Sequence, residues 1–127
     1  MRVYGIGTDI TNINRLSRSI KKKKFLSKIF DEDEIKRCKK LKNSLSCYAK
    51  RFAAKEAFSK AVGIGISKGI KFNEIIVQNN KYGKPYIKLL GKTKKLSHKI
   101  LNKKKINIFL SLTDDKPFAI ATVVITA

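Results

Sequence analysis

The sequence predicts a single compact α+β domain, and three features carry that prediction. The chain has 127 residues and 43% hydrophobic content, which suits one globular domain and leaves no room for a second. Residues 51–61 are good helix formers with no Gly or Pro before Gly63. Residues 106–112 alternate as a strand does, and 118–125 follow as its partner after a short turn. Without repeats or linkers, we expect one domain over residues 1–127.

The first half of the chain is predicted to form one strand followed by helices. Residues 3–11 read as the strand, and residues 12–28 carry apolar side chains at helical spacing. Four acids at 31–34 precede a basic stretch, which is the charge order that a helix dipole favours. They therefore predict a helix start rather than a metal site. Asn43 or Ser44 is expected to cap the long central helix.

The second half of the chain is predicted to be richer in strands. Glycines in residues 63–69 indicate a flexible loop that would be compatible with phosphate. Residues 72–78 and 85–90 read as a hairpin, and residues 93–101 as a short helix. A turn at 114–117 should join the last two strands.

Glu56 and Lys60 are one turn apart on the central helix, within a stripe that also holds Ala49, Phe52 and Ala53. One interpretation is an exposed ion pair contributing about 0.2–0.5 kcal/mol. The other is a functional site, because charge on a packed face is costly unless it is paired, hydrated or bound to a metal.

A second acidic position lies on the first strand, where one face carries Gly5, Gly7 and Asp9. Glycine in a strand often marks the close approach of a ligand or of another backbone. The spacing matches neither a Rossmann nor a Walker phosphate loop. Taken alone, the pattern favours a turn or bulge over a site.

Taken together, these segments resemble a known family. Gly-Ile-Gly-Thr-Asp-Ile at 5–10 and Arg-Phe-Ala-Ala-Lys-Glu-Ala-Phe-Ser-Lys-Ala at 51–61 are similar to the holo-acyl-carrier-protein synthase family of phosphopantetheinyl transferases. The likeness continues through residues 80–87, 111–113 and 119–125, so it spans almost the whole chain in order. It implies the phosphopantetheinyl transferase fold, a mainly antiparallel sheet packed on a long central helix.

The resemblance implies transfer of the phosphopantetheine arm of coenzyme A to a serine of an apo-acyl carrier protein. Since the partner supplies the nucleophile, the enzyme needs none of its own. Asp9 and Glu56 match the family's Mg²⁺ ligands, with Mn²⁺ as an alternative ion, and Glu56 is also a candidate base. Lys60 matches a position that neutralises the pyrophosphate or the leaving group.

Other matched positions are expected to bind coenzyme A or the carrier protein. Arg15 matches a carrier-facing position, and Arg18 would widen the same basic patch. Many relatives have a histidine where this chain has Asp114, and an aspartate there would repel a nucleotide phosphate unless a lysine intervenes. The expected coenzyme-binding residues are Arg51, Ser59, Lys60, Gly63, Lys81, Gly83, Lys84, Pro85 and Thr113.

The formal net charge of +21 raises the alternative of a nucleic-acid-binding module. No helix-turn-helix, zinc-finger or aromatic RNA-binding motif accompanies the lysines, so that function is disfavoured. A basic surface would instead speed the encounter with an acidic carrier protein. A degenerate relative that binds coenzyme A or carrier protein without transfer is the other alternative.

Cellular context and assembly complete the expectations. Without a long apolar run or a signal-like segment, the sequence predicts a cytoplasmic protein with no membrane association. Cys38 and Cys47 read as reduced thiols because two cysteines are too few for a disulfide framework. Larger relatives look like two copies of this unit with the site between them. The resemblance therefore implies a homotrimer with sites at the subunit boundaries.

Overall fold

The computed structural model describes residues 1–127 as five helices and five strands. None of the helices combines the length and apolar character needed to span a membrane. Two short 3₁₀ turns, Ile66–Lys68 and Phe72–Glu74, lie between α4 and β2. In chain order, the elements are β1 (Val3–Asn12), α1 (Ile13–Ile20), α2 (Lys23–Ile29), α3 (Glu32–Lys40), α4 (Ser44–Val62), β2 (Ile75–Asn79), β3 (Pro85–Leu89), α5 (Gly91–Leu101), β4 (Asn107–Asp115) and β5 (Phe118–Thr126).

The strands form two antiparallel sheets. β5 is the centre of a three-stranded sheet in the order β1-β5-β4, and β2 pairs with β3 as a hairpin. Alternate β5 side chains from Ala119 to Ile125 are fully buried against the core. The long helix α4 packs on β1 and β5, so the predicted α+β fold with an antiparallel sheet on a central helix is confirmed.

Gly5 and Gly7 allow β1 to lie directly against α4. A Cβ atom at Gly5 would overlap the carbonyl oxygen of Ala61, and one at Gly7 would overlap that of Ala57. Of the alternatives left open for this glycine pattern, the close approach of another backbone is therefore the correct one. The same contact fixes the position along α4 at which Asp9, two residues beyond Gly7, meets the helix.

Several local predictions are confirmed. Asp31 accepts a hydrogen bond from the backbone N–H of Glu34 at 2.9 Å in a capping box, so the acidic run is indeed a helix start. Gly63 ends α4 with a φ of 95°. Residues 12–28 form two helices that divide at Lys21, where the sequence pattern is broken by its run of lysines. One boundary differs: Phe72–Glu74 is a 3₁₀ turn rather than the start of a strand.

A fully buried ion pair joins α3 to α4, which the sequence analysis did not anticipate. Lys55 Nζ lies 2.7 Å from Glu34 Oε1 and also donates to the carbonyls of Phe72 at 2.8 Å and Ile75 at 2.6 Å. Glu34 Oε2 accepts from the backbone N–H of Val77 at 3.0 Å. Burial raises the pKa of Glu34 and lowers the pKa of Lys55, and the opposite charge of each partner resists that shift. The pair fixes α3, α4 and β2 together.

The prediction of reduced thiols at Cys38 and Cys47 is wrong in this structure. The two cysteines form a disulfide between α3 and α4, with their Cα atoms 5.4 Å apart. Helix packing brings them within the usual range for a disulfide, about 4.4–6.8 Å. Cysteine count and spacing carry no information about that packing.

Candidate functional site

Asp9 and Glu56 come together where β1 crosses α4. Asp9 lies on the face of β1 that meets the helix, and its side chain is 16% exposed. Glu56 is half-buried, and both carboxylates line a cavity of about 380 Å³. Arg15, at the start of α1, lines the same cavity. We call this the Asp9 cavity.

Lys60 pairs with Asp9 rather than with Glu56. Its Nζ lies 3.2 Å from Asp9 Oδ1 and donates to the carbonyl of Thr8 at 3.0 Å. The interpretation of Glu56 and Lys60 as a simple exposed ion pair is therefore not supported. Thr11, which the sequence analysis missed, donates from Oγ1 to Asp9 Oδ2 at 3.2 Å. Asp9 thus has a partner on each oxygen, which fixes the direction of the carboxylate.

The two carboxylates are close enough to influence each other. Burial is the main cause that raises the pKa of Glu56, the negative charge of Asp9 raises it further, and the positive charge of Lys60 opposes both. A cation between two such oxygens would relieve that repulsion. No third histidine, cysteine or acid joins them. A carboxylate pair of this kind fits Mg²⁺, which commonly binds one or two carboxylates and completes its shell with water and substrate phosphate.

A second cavity, of about 560 Å³, opens where α3, α4, the β2–β3 hairpin and β4 meet. We call it the Arg51 cavity. It brings together three of the predicted coenzyme-binding residues, Arg51, Gly83 and Pro85. Its lining adds several polar residues that the sequence analysis did not single out for binding, namely Arg37, Lys42, Asn43, Ser46, Lys50 and Asn79.

Arg51 is buried at the wall of this cavity and retains unused hydrogen-bonding capacity. Its Nη2 donates to Asn79 Oδ1 at 2.8 Å, and Asn79 Nδ2 donates to the carbonyl of Gly83 at 2.9 Å. Its Nε is buried without a partner. Burial lowers the pKa of Arg51, and the charge of Glu34 partly offsets that effect. Since buried polar groups are normally paired, the free Nε marks a place for a ligand oxygen.

The aspartate that departs from the family pattern is paired with a lysine. Asp114 Oδ1 lies 3.3 Å from Lys50 Nζ, and both residues line the Arg51 cavity. From the sequence, this aspartate was expected to repel a phosphate unless a lysine intervened, and Lys50 is placed to be that lysine. With Arg37, Lys42, Lys50 and Arg51 against this one acid, the cavity lining is net positive.

The other predicted binding residues lie outside the Arg51 cavity within one chain. Lys81 and Lys84 are exposed at the tip of the β2–β3 hairpin. Thr113 follows Leu112 on β4, so its side chain points to the opposite face of the sheet. Ser59 has a buried hydroxyl without a hydrogen-bond partner. Gly63 ends α4 beyond Lys60.

The two cavities are separate, and a broad apolar face lies exposed on the sheet. No residue lines both cavities, because Arg51 and Glu56 point to different sides of α4. Arg18, predicted beside Arg15, is exposed outside both. The sheet face away from α4 carries Ile6, Ile10 and Phe109, which are 67%, 59% and 51% exposed.

Comparison with known proteins gives a consistent result. The family model of the 4'-phosphopantetheinyl transferase superfamily matches residues 5–123. A holo-[acyl-carrier-protein] synthase of Pelagibacter ubique is 42% identical over 125 residues, covering 98% of each chain.

Solved structures agree with the sequence relatives. A holo-(acyl-carrier-protein) synthase from Bacillus anthracis, in complex with CoA (3',5'-ADP), superposes with a TM-score of 0.78 at 37% identity, covering 97% of this chain and 96% of that one. The Helicobacter pylori holo-[acyl-carrier-protein] synthase in complex with coenzyme A gives 0.77 at 35% identity, covering 95% and 99%. With the fold, the two cavities and these matches in agreement, the chain belongs to the 4'-phosphopantetheinyl transferase superfamily.

Proposed function

We propose that this protein is a holo-[acyl-carrier-protein] synthase. It transfers the phosphopantetheine group of coenzyme A to a serine hydroxyl of an apo-acyl carrier protein and releases adenosine 3',5'-bisphosphate. The observation that carries the proposal is the meeting of Asp9 and Glu56 at one cavity in a chain of this family, with Lys60 bonded to Asp9 beside them. Phosphoryl transfer needs charge neutralisation and alignment more than a nucleophile from the enzyme, and these residues can supply both.

Asp9 and Glu56 would hold Mg²⁺, or Mn²⁺ in its place. The bound ion would neutralise charge on the pyrophosphate of coenzyme A. Thr11 keeps Asp9 oriented, as its hydroxyl donates to the carboxylate oxygen that Lys60 does not contact. Lys60, more than half exposed and held only by Asp9 and the Thr8 carbonyl, is free to turn toward a phosphate oxygen.

Glu56 is also the best-placed proton acceptor. Burial and the charge of Asp9 raise the pKa of its carboxyl above the usual range for glutamate, which makes its carboxylate a stronger base. It would take the proton of the attacking serine hydroxyl, directly or through a water. The arriving carrier protein would meet Arg15 at the edge of the same cavity.

The nucleotide half of coenzyme A would occupy the Arg51 cavity. Four cationic side chains line that cavity, namely Arg37, Lys42, Lys50 and Arg51, and they suit its phosphates. Lys81 and Lys84 stand at the hairpin beside Gly83 and Pro85 and extend the positive charge.

A homotrimer would join the two kinds of cavity. Within one chain the Asp9 cavity and the Arg51 cavity share no lining residue. The exposed apolar face of Ile6, Ile10 and Phe109 offers a surface for subunit packing, since large exposed apolar patches mark interaction sites. Thr113 lies on that same face and would reach a neighbour's site.

The direct test is intact-mass spectrometry of an apo-acyl carrier protein incubated with this protein, coenzyme A and Mg²⁺. We expect the phosphopantetheine mass increment, and its loss when the metal is chelated. Glu56→Gln should also abolish the increment while circular dichroism shows an unchanged fold. If Glu56→Gln transferred the group at a near-normal rate, Glu56 would be neither a required metal ligand nor the required base. No increment with several acidic carrier proteins would favour a binding protein instead.

A further inference from the structure

The disulfide between Cys38 and Cys47 lies at the wall of the Arg51 cavity. Cys47 lines the cavity and is 3% exposed, whereas Cys38 is fully enclosed behind it. The bond spans a sequence separation of nine residues, from the last turns of α3 to the first turn of α4.

The ring closed by this disulfide is itself much of the cavity wall. The connection between α3 and α4 and the first turn of α4 both lie inside the ring. The ring residues that line the cavity are Leu41, Lys42, Asn43, Ser46 and Cys47. A cross-link that removes chain freedom here also restricts the cavity lining. Opening the bond would release the lysine and the asparagine of the wall from that restraint.

The disulfide also contacts the buried cation of the cavity. Arg51 Nη1 donates to Cys47 Sγ at 3.2 Å and to the carbonyl of Cys47 at 3.5 Å. A disulfide sulphur is neutral and a weak acceptor, so Arg51 keeps its charge available to the cavity. A neighbouring guanidinium favours the thiolate form of a cysteine. Reduction would therefore give Arg51 an anionic partner on its own helix.

We propose that Cys38 and Cys47 form a reversible thiol–disulfide modification site that sets the affinity of the Arg51 cavity for phosphate. The disulfide form binds the nucleotide more tightly, because the wall is restrained and the Arg51 charge is not drawn to a thiolate. The identity of the ligand rests on the proposed function. The modification itself rests on the position of the two cysteines.

The reductant would be a dithiol. Its thiolate attacks Cys47 Sγ, the sulphur that faces the cavity, and the Cys38–Cys47 bond breaks as a mixed disulfide forms. Cys38 leaves as a thiolate and takes a proton. The second thiol of the reductant then attacks the mixed disulfide and releases Cys47 as the thiolate that pairs with Arg51. Two electrons pass to the cysteines, Cys38 takes one of the two thiol protons, and the other goes to solvent.

The test compares oxidised and reduced protein. Protein purified without reductant is divided, one half is treated with dithiothreitol, and the reagent is removed from both. Alkylation under denaturing conditions and intact mass then count the free thiols. We expect none before reduction and two after it. Calorimetry uses adenosine 3',5'-bisphosphate, because the thiol of coenzyme A would itself exchange with the disulfide. In the absence of metal, its affinity should be at least about threefold weaker for the reduced form.

The control is the double variant Cys38→Ser/Cys47→Ser, whose affinity should not respond to dithiothreitol. If circular dichroism shows that it is misfolded, Cys38→Ala/Cys47→Ala takes its place. Free thiols at both positions before reduction would overturn the proposal, as would an equal or tighter affinity after it. If neither form binds adenosine 3',5'-bisphosphate and no arm is transferred from coenzyme A, the proposed function also falls. If the arm is transferred and the affinity ignores redox state, this inference alone falls.

Discussion

Asp114 is the one acid in a cavity lined by four cationic side chains, and its pairing with Lys50 determines how it affects a bound phosphate. Both side chains are about one-third exposed, so the pair itself contributes little to stability. Its effect is on the ligand. In the proposed complex, Lys50 would meet a phosphate with a positive charge that Asp114 partly neutralises.

Opposite effects are therefore expected from the two halves of this pair. Lys50→Met should weaken coenzyme A binding by roughly threefold to tenfold, because a charged contact to phosphate is lost. Asp114→Asn should strengthen binding, because a negative charge leaves the cavity. Calorimetry measures both, and Lys88→Met, on an exposed lysine of β3 outside the cavity, is the matched control. Equal affinity in all three variants would place the phosphates elsewhere.

At the scale of elements, the contact of β1 with α4 positions Asp9, the proposed metal ligand. Gly7 lies against the Ala57 carbonyl, and Asp9 follows two residues later on the same face. Gly7→Ala should push the strand away from the helix and destabilise the protein by about 1–3 kcal/mol. Transfer activity should fall by more than the loss of folded protein explains, because the Asp9 carboxylate moves with the strand.

Thermal unfolding and the carrier-protein assay, run well below the melting temperature, separate the two effects of Gly7→Ala. Gly65→Ala is the matched control, because a Cβ at Gly65 would meet open space. A Gly7→Ala protein with unchanged stability and activity would show that the close approach is unimportant.

The buried pair of Glu34 and Lys55 holds three elements together, and its removal should be strongly non-additive. Lys55→Met leaves the Glu34 carboxylate buried without its cation, which should cost about 3–5 kcal/mol. Glu34→Gln leaves Lys55 unpaired, with a similar cost. The double variant should lose less than the sum of the two. Urea unfolding of the three variants checks this, and strict additivity would contradict a direct interaction.

The same elements show where sequence-based prediction succeeds and where it stops. The capping box at Asp31 and the end of α4 at Gly63 depend on neighbouring residues, so local patterns located both. Nothing local marks Glu34 as the buried member of four consecutive acids, since its partner Lys55 is 21 residues away. The Cys38–Cys47 bond depends likewise on how two helices pack.

In the candidate site too, some features could be predicted from the sequence and others could not. The sequence motifs identified Asp9 and Glu56, and the structure brings the two carboxylates to one cavity. The partner of Lys60 was not predictable from helical spacing, because Asp9 comes from a strand 51 residues away. Thr113 points away from the Arg51 cavity, as strand alternation requires of the residue beside Asp114, so its predicted role in binding coenzyme A stays a prediction for a neighbour's site.

At the scale of the whole molecule, the exposed sheet face should control assembly and activity together. Phe109→Glu places a charge on that face, on the edge strand β4, without touching the core. We expect light scattering to give the mass of three chains for the unmodified protein and of one chain for the variant. Transfer activity should be lost along with assembly. A fully active single-chain variant would show that one chain contains a complete site.

In the proposed trimer, the separation of the two cavities around α4 would make activity a property of the assembly rather than of the single chain. If a working site takes its carboxylates from one subunit and Arg51 from the next, a chain damaged at Arg51 and a chain damaged at Glu56 each retain the half that the other lacks. Two individually inactive proteins would then restore each other when they assemble together. In a cell carrying both, they would behave as complementing alleles of one gene.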